Sequence, residues 1–196
     1  MKILVATNNA HKVIELKNLI NIKNCELFSM KDLNINLEIE ENGSTFAENA
    51  TIKAKTLYDY VNNPEYLVIA DDSGLCVDYL DGKPGIYSAR FSGGNDADNR
   101  KKLINELKNA PKEKRTAHFN CTIALINNGE TIIFEGICNG IIAENEIGDN
   151  GFGYDSLFFY PEFNKTFGEI SSEEKNKVSH RANAVKKLKK YLESIN

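Results

Sequence analysis

The chain has 196 residues, 41 % apolar and 27 % charged, with 28 acidic and 24 basic side chains and a net charge of −4. This length and mixture suit one large domain, or one with a lobe, and argue against collagen, coiled coil or global disorder. The acidic balance argues against a basic nucleic-acid coat, and no apolar run approaches the roughly 20 residues that span a bilayer.

Ile3 to Ala6 reads as a short buried strand. Asn8-Asn9 interrupts it too early for a signal peptide, so the expected chain begins at Met1 and is cytoplasmic. Thr7-Asn8-Asn9 suits a turn or helix cap, and Val13, Leu16, Leu19 and Ile20 then recur at helical spacing. An acidic, irregular stretch over 31–43 precedes Thr45-Phe46-Ala47-Glu48, which spells a capping box opening a second helix. Asn62-Asn63-Pro64 ends that helix. Tyr66 to Ala70 reads as a strand punctuated by Asp71-Asp72-Ser73-Gly74, with Leu75 to Leu80 extended beyond it.

Asp81 to Gly85 is turn-rich, and Asp96 to Asn109 has a helical pattern around Leu103, Ile104 and Leu107. Ala117, Phe119, Cys121, Ile123 and Leu125 alternate, and Asn127-Asn128-Gly129 turns the chain into a hairpin partner over 131–138. A further strand is expected around Ile141-Ile142, and another apolar segment over 157–160. Ser171 to Glu174 is a second capping box, and the last helical pattern carries Val178, Val185, Leu188 and Leu192. Cys25, Cys76, Cys121 and Cys138 are widely spaced among apolar neighbours, which suits buried free thiols better than a zinc site. The mixture of βα units with a hairpin predicts an α/β class with a mixed sheet.

Four segments could carry chemistry, and each also has an ordinary structural explanation. Thr7, Asn8, Asn9, Ala10, His11 and Lys12 stand where a strand meets a helix N-terminus. Amides, a hydroxyl and one ammonium there can hold phosphate oxygens, or the segment can simply cap the helix. Glu38, Glu40 and Glu41 with Asp71 and Asp72 offer the oxygen donors that Mg²⁺ prefers, or form a solvated acidic loop and an aspartate turn. Lys53, on the helix behind that loop, is exposed by default or meets a phosphate or carboxylate. Gly151-Phe152-Gly153-Tyr154-Asp155 lets backbone approach a ligand and offers an aromatic face for a planar base, or is an aromatic turn. Lys175, Ser179, His180 and Arg181 supply donors suited to a carbonyl or phosphate, or belong to a charged amphipathic helix. His118 is expected to be exposed on the polar side of its strand.

Taken together these segments resemble the inosine triphosphate pyrophosphatase family. The resemblance rests on Ala6-Thr7-Asn8-Asn9 with Lys12 and Glu15, and on Glu41, Gly43, Thr45-Phe46 and Glu48-Asn49-Ala50 with Lys53-Ala54. It continues through Ala70 to Leu75, Pro84 to Arg90, Gly151 to Asp155, and Glu174-Lys175 through Ser179-His180-Arg181. The pieces occur in family order over nearly the whole chain, implying one such domain over 1–196. The resemblance implies an elongated, two-lobed α/β fold, with a central mixed β-sheet flanked by helices and an active-site cleft between the lobes. It implies a homodimer that hydrolyses ITP, dITP and XTP to the monophosphate and pyrophosphate with Mg²⁺.

By position, Thr7 to Lys12 and Lys53 would bind the triphosphate. Glu41 and Asp72 would organise Mg²⁺, with Asp72 also the base toward water, and Ser73 would contact the nucleotide. Phe152, Gly153, Tyr154, Asp155, Lys175, His180 and Arg181 would form the base site. His11 stands where many members have glycine, and Tyr154 where many have tryptophan. The expected partner is a small purine nucleotide, not nucleic acid or membrane. The rival readings are a pyrophosphatase for pyrimidine or modified nucleotides, a non-catalytic nucleotide sensor, and a nucleic-acid module using Lys186 to Lys190.

Overall fold

In a computed structural model that describes residues 1–195, the elements follow one another in a mixed α/β order. They are β1 (Lys2–Val5), α1 (Ala10–Leu19), β2 (Glu26–Ser29), α2 (Phe46–Val61), β3 (Tyr66–Val77), α3 (Asp96–Glu106), β4 (Thr116–Asn127), β5 (Glu130–Ile142), β6 (Phe158–Tyr160), β7 (Lys165–Thr166), α4 (Ser172–Val178) and α5 (His180–Ser194). The seven strands form one sheet in the order β2-β1-β3-β4-β5-β6-β7. β1 runs parallel to both β2 and β3, whereas β6 is antiparallel to β5 and to β7. The sheet is therefore mixed, as the alternation of βα units with a hairpin predicts.

The chain divides into two compact units. The first comprises residues 1–72, 121–136 and 181 onward; the second comprises 73–120 and 137–180. β3, β4 and β5 each run from one unit into the other. In the first unit β1 is buried on both faces, which is why Ile3 to Ala6 reads as an unbroken apolar run. Ile3 and Val5 pack with Leu16 of α1 and Val185, Leu188 and Leu192 of α5. Leu4 and Ala6 pack with Ala50, Ala54 and Leu57 of α2. The second unit has its own core, including Leu75, Leu103, Leu107, Phe119, Leu157, Phe158 and Phe167.

Several boundaries depart from the sequence reading. β3 is continuous from Tyr66 to Val77, so Asp71-Asp72-Ser73-Gly74 is strand and not a turn. The aspartates need no exposed loop because each meets cationic or amide partners inside the first unit. Only residues 78–80 leave the extended course, as one 3-10 turn. The strand expected near Ile141 is the end of a 13-residue β5. Asn128 and Gly129 both have positive φ (48° and 82°), the pattern of a tight two-residue hairpin turn.

Thr45 caps α2 through Glu48 N–H at 3.1 Å, but Glu48 reaches back one residue further than a capping box requires, accepting from Ser44 N–H and Oγ at 2.7 Å. The Ser171–Glu174 box forms in full. The last helical pattern is two helices, because Ser179 turns extended (ψ 158°) after α4. The short β2 carried no clear alternation and was not foreseen in the sequence.

All four cysteines are free, but only Cys121 and Cys138 are buried, while Cys25 and Cys76 are half-buried. Burial pushes the Cys121 and Cys138 thiols up to about 12, so they are held protonated. His118 is half-buried, not exposed. Among the described residues no helix is long and apolar enough to cross a membrane.

Candidate active site

Alternation along β3 sends two adjacent carboxylates to different partners within the first unit. Asp71, fully buried, accepts from Arg181 at the start of α5, with Nη2 at 2.9 Å and Nε at 3.3 Å. Lys12 Nζ, from the first turn of α1, lies 3.1 Å from the same oxygen. Arg181 Nη1 also pairs with Glu15, one turn further along α1 from Lys12. Burial alone would raise the Asp71 carboxyl, but the Lys12 and Arg181 cations outweigh it and hold the group well below the usual carboxylate range.

Asp72 faces α2. Its Oδ2 accepts from Asn49 Nδ2 at 3.1 Å, and its Oδ1 lies 3.4 Å from Lys53 Nζ. Asn49 and Lys53 are four residues apart and so share one helix face. Lys53 is buried (7 % exposed) and also donates to Glu41 Oε2 at 3.0 Å. Asn49 Oδ1 accepts from Gly43 N–H at 2.8 Å, tying the segment that carries Glu41 to the helix that meets Asp72. A Cβ on Gly43 would stand 2.7 Å from Glu48 Cβ and 2.8 Å from Asn49 Oδ1, so the close approach requires glycine. Burial raises the Asp72 carboxyl despite the opposing Lys53 charge, and the nearby Glu41 raises it further. Burial disfavours the Lys53 ammonium, but Asp72, Asp71 and Glu41 together raise it above its ordinary value.

Glu41 and Asp72 thus converge on one cationic point. Two carboxylates form a hard oxygen donor set of the kind Mg²⁺ takes when water and phosphate oxygens complete its shell. Among the described residues no larger group of His, Cys, Asp or Glu side chains gathers to enclose a metal. The donor chemistry fits Mg²⁺ held jointly with a phosphorylated ligand.

The 7–12 loop does cap α1. Asn9 Oδ1 accepts from Lys12 N–H at 3.2 Å, and Thr7 Oγ1 accepts from Asn9 N–H at 3.2 Å. Asn8 Nδ2 reaches Leu37 O at 3.5 Å. Asn8, Asn9, Ala10 and His11 are exposed, so the helix N-terminus remains open to an anion.

The second unit holds the aromatic loop. Asp155 Oδ2 accepts from Phe152 N–H at 2.9 Å and from Lys175 Nζ at 2.7 Å. Lys175, nearly fully buried, also stands 4.9 Å from the Phe152 ring centroid. Gly151 has φ +77°, and a Cβ there would fall 2.0 Å from Asp155 Oδ2. Tyr154 Oη donates to Ser88 O at 2.8 Å, and His180 stacks on Phe119 with ring centroids 4.7 Å apart. Ser73 opens this unit, half-buried. Arg181, expected with these groups, is found paired with Asp71 and Glu15 in the first unit.

Sequence reading missed the linking role of Asn49 and the pairing of Asp71 with Arg181. The i, i+4 spacing of Asn49 and Lys53 was a usable signal for the first. Nothing local signalled the second, whose partners are 110 residues apart.

A model of the Ham1 family matches residues 3–191. The chain belongs to that family. Among its relatives is the dITP/XTP pyrophosphatase of Clostridium perfringens, 48 % identical over 200 residues, covering 99 % of this chain and 98 % of the relative. The Ham1 protein of Staphylococcus aureus superposes with a TM-score of 0.88 at 39 % identity, over the full length of both chains. A HAM1 protein from Coxiella burnetii gives 0.89 at 34 % identity, over 99 % of each.

Proposed function

We propose that this chain is a pyrophosphatase for non-canonical purine nucleoside triphosphates. It hydrolyses dITP, ITP and XTP to the monophosphate and pyrophosphate, which keeps these nucleotides out of DNA and RNA. The observation that carries the reading is the Glu41–Lys53–Asp72 group, with Lys12 paired to the adjacent Asp71, in a chain 48 % identical to a dITP/XTP pyrophosphatase.

Cleaving a phosphoanhydride needs charge neutralisation and an aligned water more than covalent help. Lys12, Lys53 and the open N-terminus of α1, with Thr7, Asn8, Asn9, Ala10 and His11, receive the triphosphate oxygens. Glu41 and Asp72 would hold Mg²⁺, which when bound would supply positive charge to the phosphate oxygens. Asp72 takes the proton of the attacking water.

Phe152 offers its face to the purine, flanked by Gly153, Tyr154 and Asp155, with Ser73 and His180 completing the nucleotide contacts. The Lys175 ammonium, held by Asp155, donates to the 6-carbonyl that hypoxanthine and xanthine carry and adenine lacks. ATP leaves that donor unpaired, which costs affinity. Arg181 acts chiefly by fixing Asp71 beside Lys12. The working form is a cytoplasmic homodimer.

Product analysis tests the reaction class. XTP and dITP should yield monophosphate and pyrophosphate in equal amounts from the first turnover. Accumulating diphosphate and orthophosphate would overturn the reading. Binding without any product would make the chain a nucleotide sensor.

A further inference from the structure

We infer that Asp96 and Arg100 of α3 are positioning residues that set the backbone of the 151–155 loop and thereby tune purine discrimination. The inference rests on the reading of that loop as the base site. All the groups involved lie in the second unit.

The two side chains are four residues apart, hence on one face of α3. Asp96 Oδ2 accepts from Gly153 N–H at 3.1 Å, and Arg100 Nη1 donates to Gly153 O at 2.9 Å. One residue of the loop is therefore gripped at both of its backbone polar groups. Gly153 has φ +60°, a conformation that a free loop need not keep. Arg100 Nε also donates to Glu146 Oε2 at 2.7 Å, and that same oxygen accepts from Ser156 Oγ at 3.3 Å. The guanidinium thus joins α3 both to the loop at Gly153 and to Glu146 ahead of it, using its rigid fork as a lysine could not, and Glu146 in turn holds Ser156 beyond the loop.

The frame carrying the clamp is itself fixed. Asn95 and Asp98 close a complete capping box on α3. Asn99 Oδ1 accepts from Ser92 N–H and Oγ, both at 2.7 Å, while its Nδ2 donates to Ala89 O at 3.1 Å. Gly153 lies next to Phe152 and Tyr154, so rotation of its backbone re-aims the Phe152 ring and loosens the Asp155–Lys175 pair. Neither clamp residue belongs to the Glu41–Lys53–Asp72 group, so releasing the clamp should weaken base recognition and spare the hydrolytic step.

The test uses the full-length enzyme with Asp96→Ala, Arg100→Met and Asp96→Asn, each assayed with ITP, GTP and ATP below its melting temperature. D96A and R100M should raise KM for ITP about ten-fold, hold kcat within about two-fold, and narrow the ITP:GTP ratio of kcat/KM. D96N keeps an oxygen acceptor and should return KM most of the way to the wild-type value. Amide exchange over 151–155 should quicken in D96A.

Wild-type KM and selectivity in both D96A and R100M, or a fall in kcat with KM and the ratio unchanged, would overturn the inference. Phe152→Ala and Lys175→Ala serve as controls for the underlying reading. If they too leave KM and selectivity untouched, the loop is not the base site. If they change them while D96A and R100M do not, only the clamp fails.

Discussion

The Lys53 ammonium lies 3.0 Å from the Glu41 carboxylate, although the two residues come from different structural settings: a buried helix face and an irregular loop. The same nitrogen reaches Asp72 at 3.4 Å, so three charged groups share one small volume of the first unit. A cation already sits between the carboxylates proposed to hold a metal. Asn49 then links Asp72 to the Gly43 backbone, so the loop bearing Glu41 is fixed by hydrogen bonds as well as by charge.

Asp72→Asn keeps the side chain's size and removes its ability to accept the proton of the attacking water. Turnover should fall by about 10²-fold or more, the range that positioned general bases contribute. Circular dichroism and the melting temperature should stay close to wild type. Retained turnover in a folded D72N protein would remove Asp72 from the chemistry.

Arg181→Ala leaves Asp71 buried beside Lys12 but without its guanidinium, and it also strips Glu15 of a partner. Breaking such a buried pair costs roughly 3–5 kcal/mol, to be read from denaturant unfolding. A loss below about 1 kcal/mol would mean that Lys12 alone compensates Asp71.

Gly151→Ala meets two obstacles, a left-handed backbone and an Asp155 oxygen 2.0 Å from the new Cβ. Stability should fall by about 1–3 kcal/mol, the range for a strained non-glycine residue. KM for ITP should rise with it, because Asp155 can no longer accept from both Phe152 N–H and Lys175. Unchanged stability and KM would show that the loop can remodel freely.

Asp32 gives a pH-dependent stability term. The Ser29 N–H, aided by the Lys17 ammonium at 2.9 Å, lowers its carboxyl to about 2. A folded pKa below the unfolded value of about 3.9 means that the stabilisation is complete above that value and lost as pH falls through about 2. Asp32→Asn should therefore lower the melting temperature at pH 7, and the gap from wild type should close between pH 4 and pH 2. A gap independent of pH would show that ionisation of Asp32 is not its source.

Much of the fold was legible because local physics agreed with the final packing. Ile3 to Ala6, the Thr45 and Ser171 caps and the Asn128-Gly129 hairpin follow from apolar runs, capping chemistry and turn residues. The Asp71-Asp72-Ser73-Gly74 segment misled, since its composition reads as a turn while its charges are met by residues distant in sequence. Lys53 misled in the same way: its burial depends on Glu41 and Asp72, which no helical pattern can reveal. The resemblance supplied the site residues. The partition of Lys175 with Asp155, and of Arg181 with Asp71, emerged only from the structure.

The most direct test of the central claim is pyrophosphate release by the full-length protein from XTP, dITP and ITP against GTP, ATP and a pyrimidine triphosphate, with Mg²⁺ and with EDTA. The account predicts kcat/KM for XTP, dITP and ITP at least about ten-fold above that for the other nucleotides, with release abolished by EDTA. Equal rates on all nucleotides, a preference for the pyrimidine, or release that persists in EDTA would contradict it.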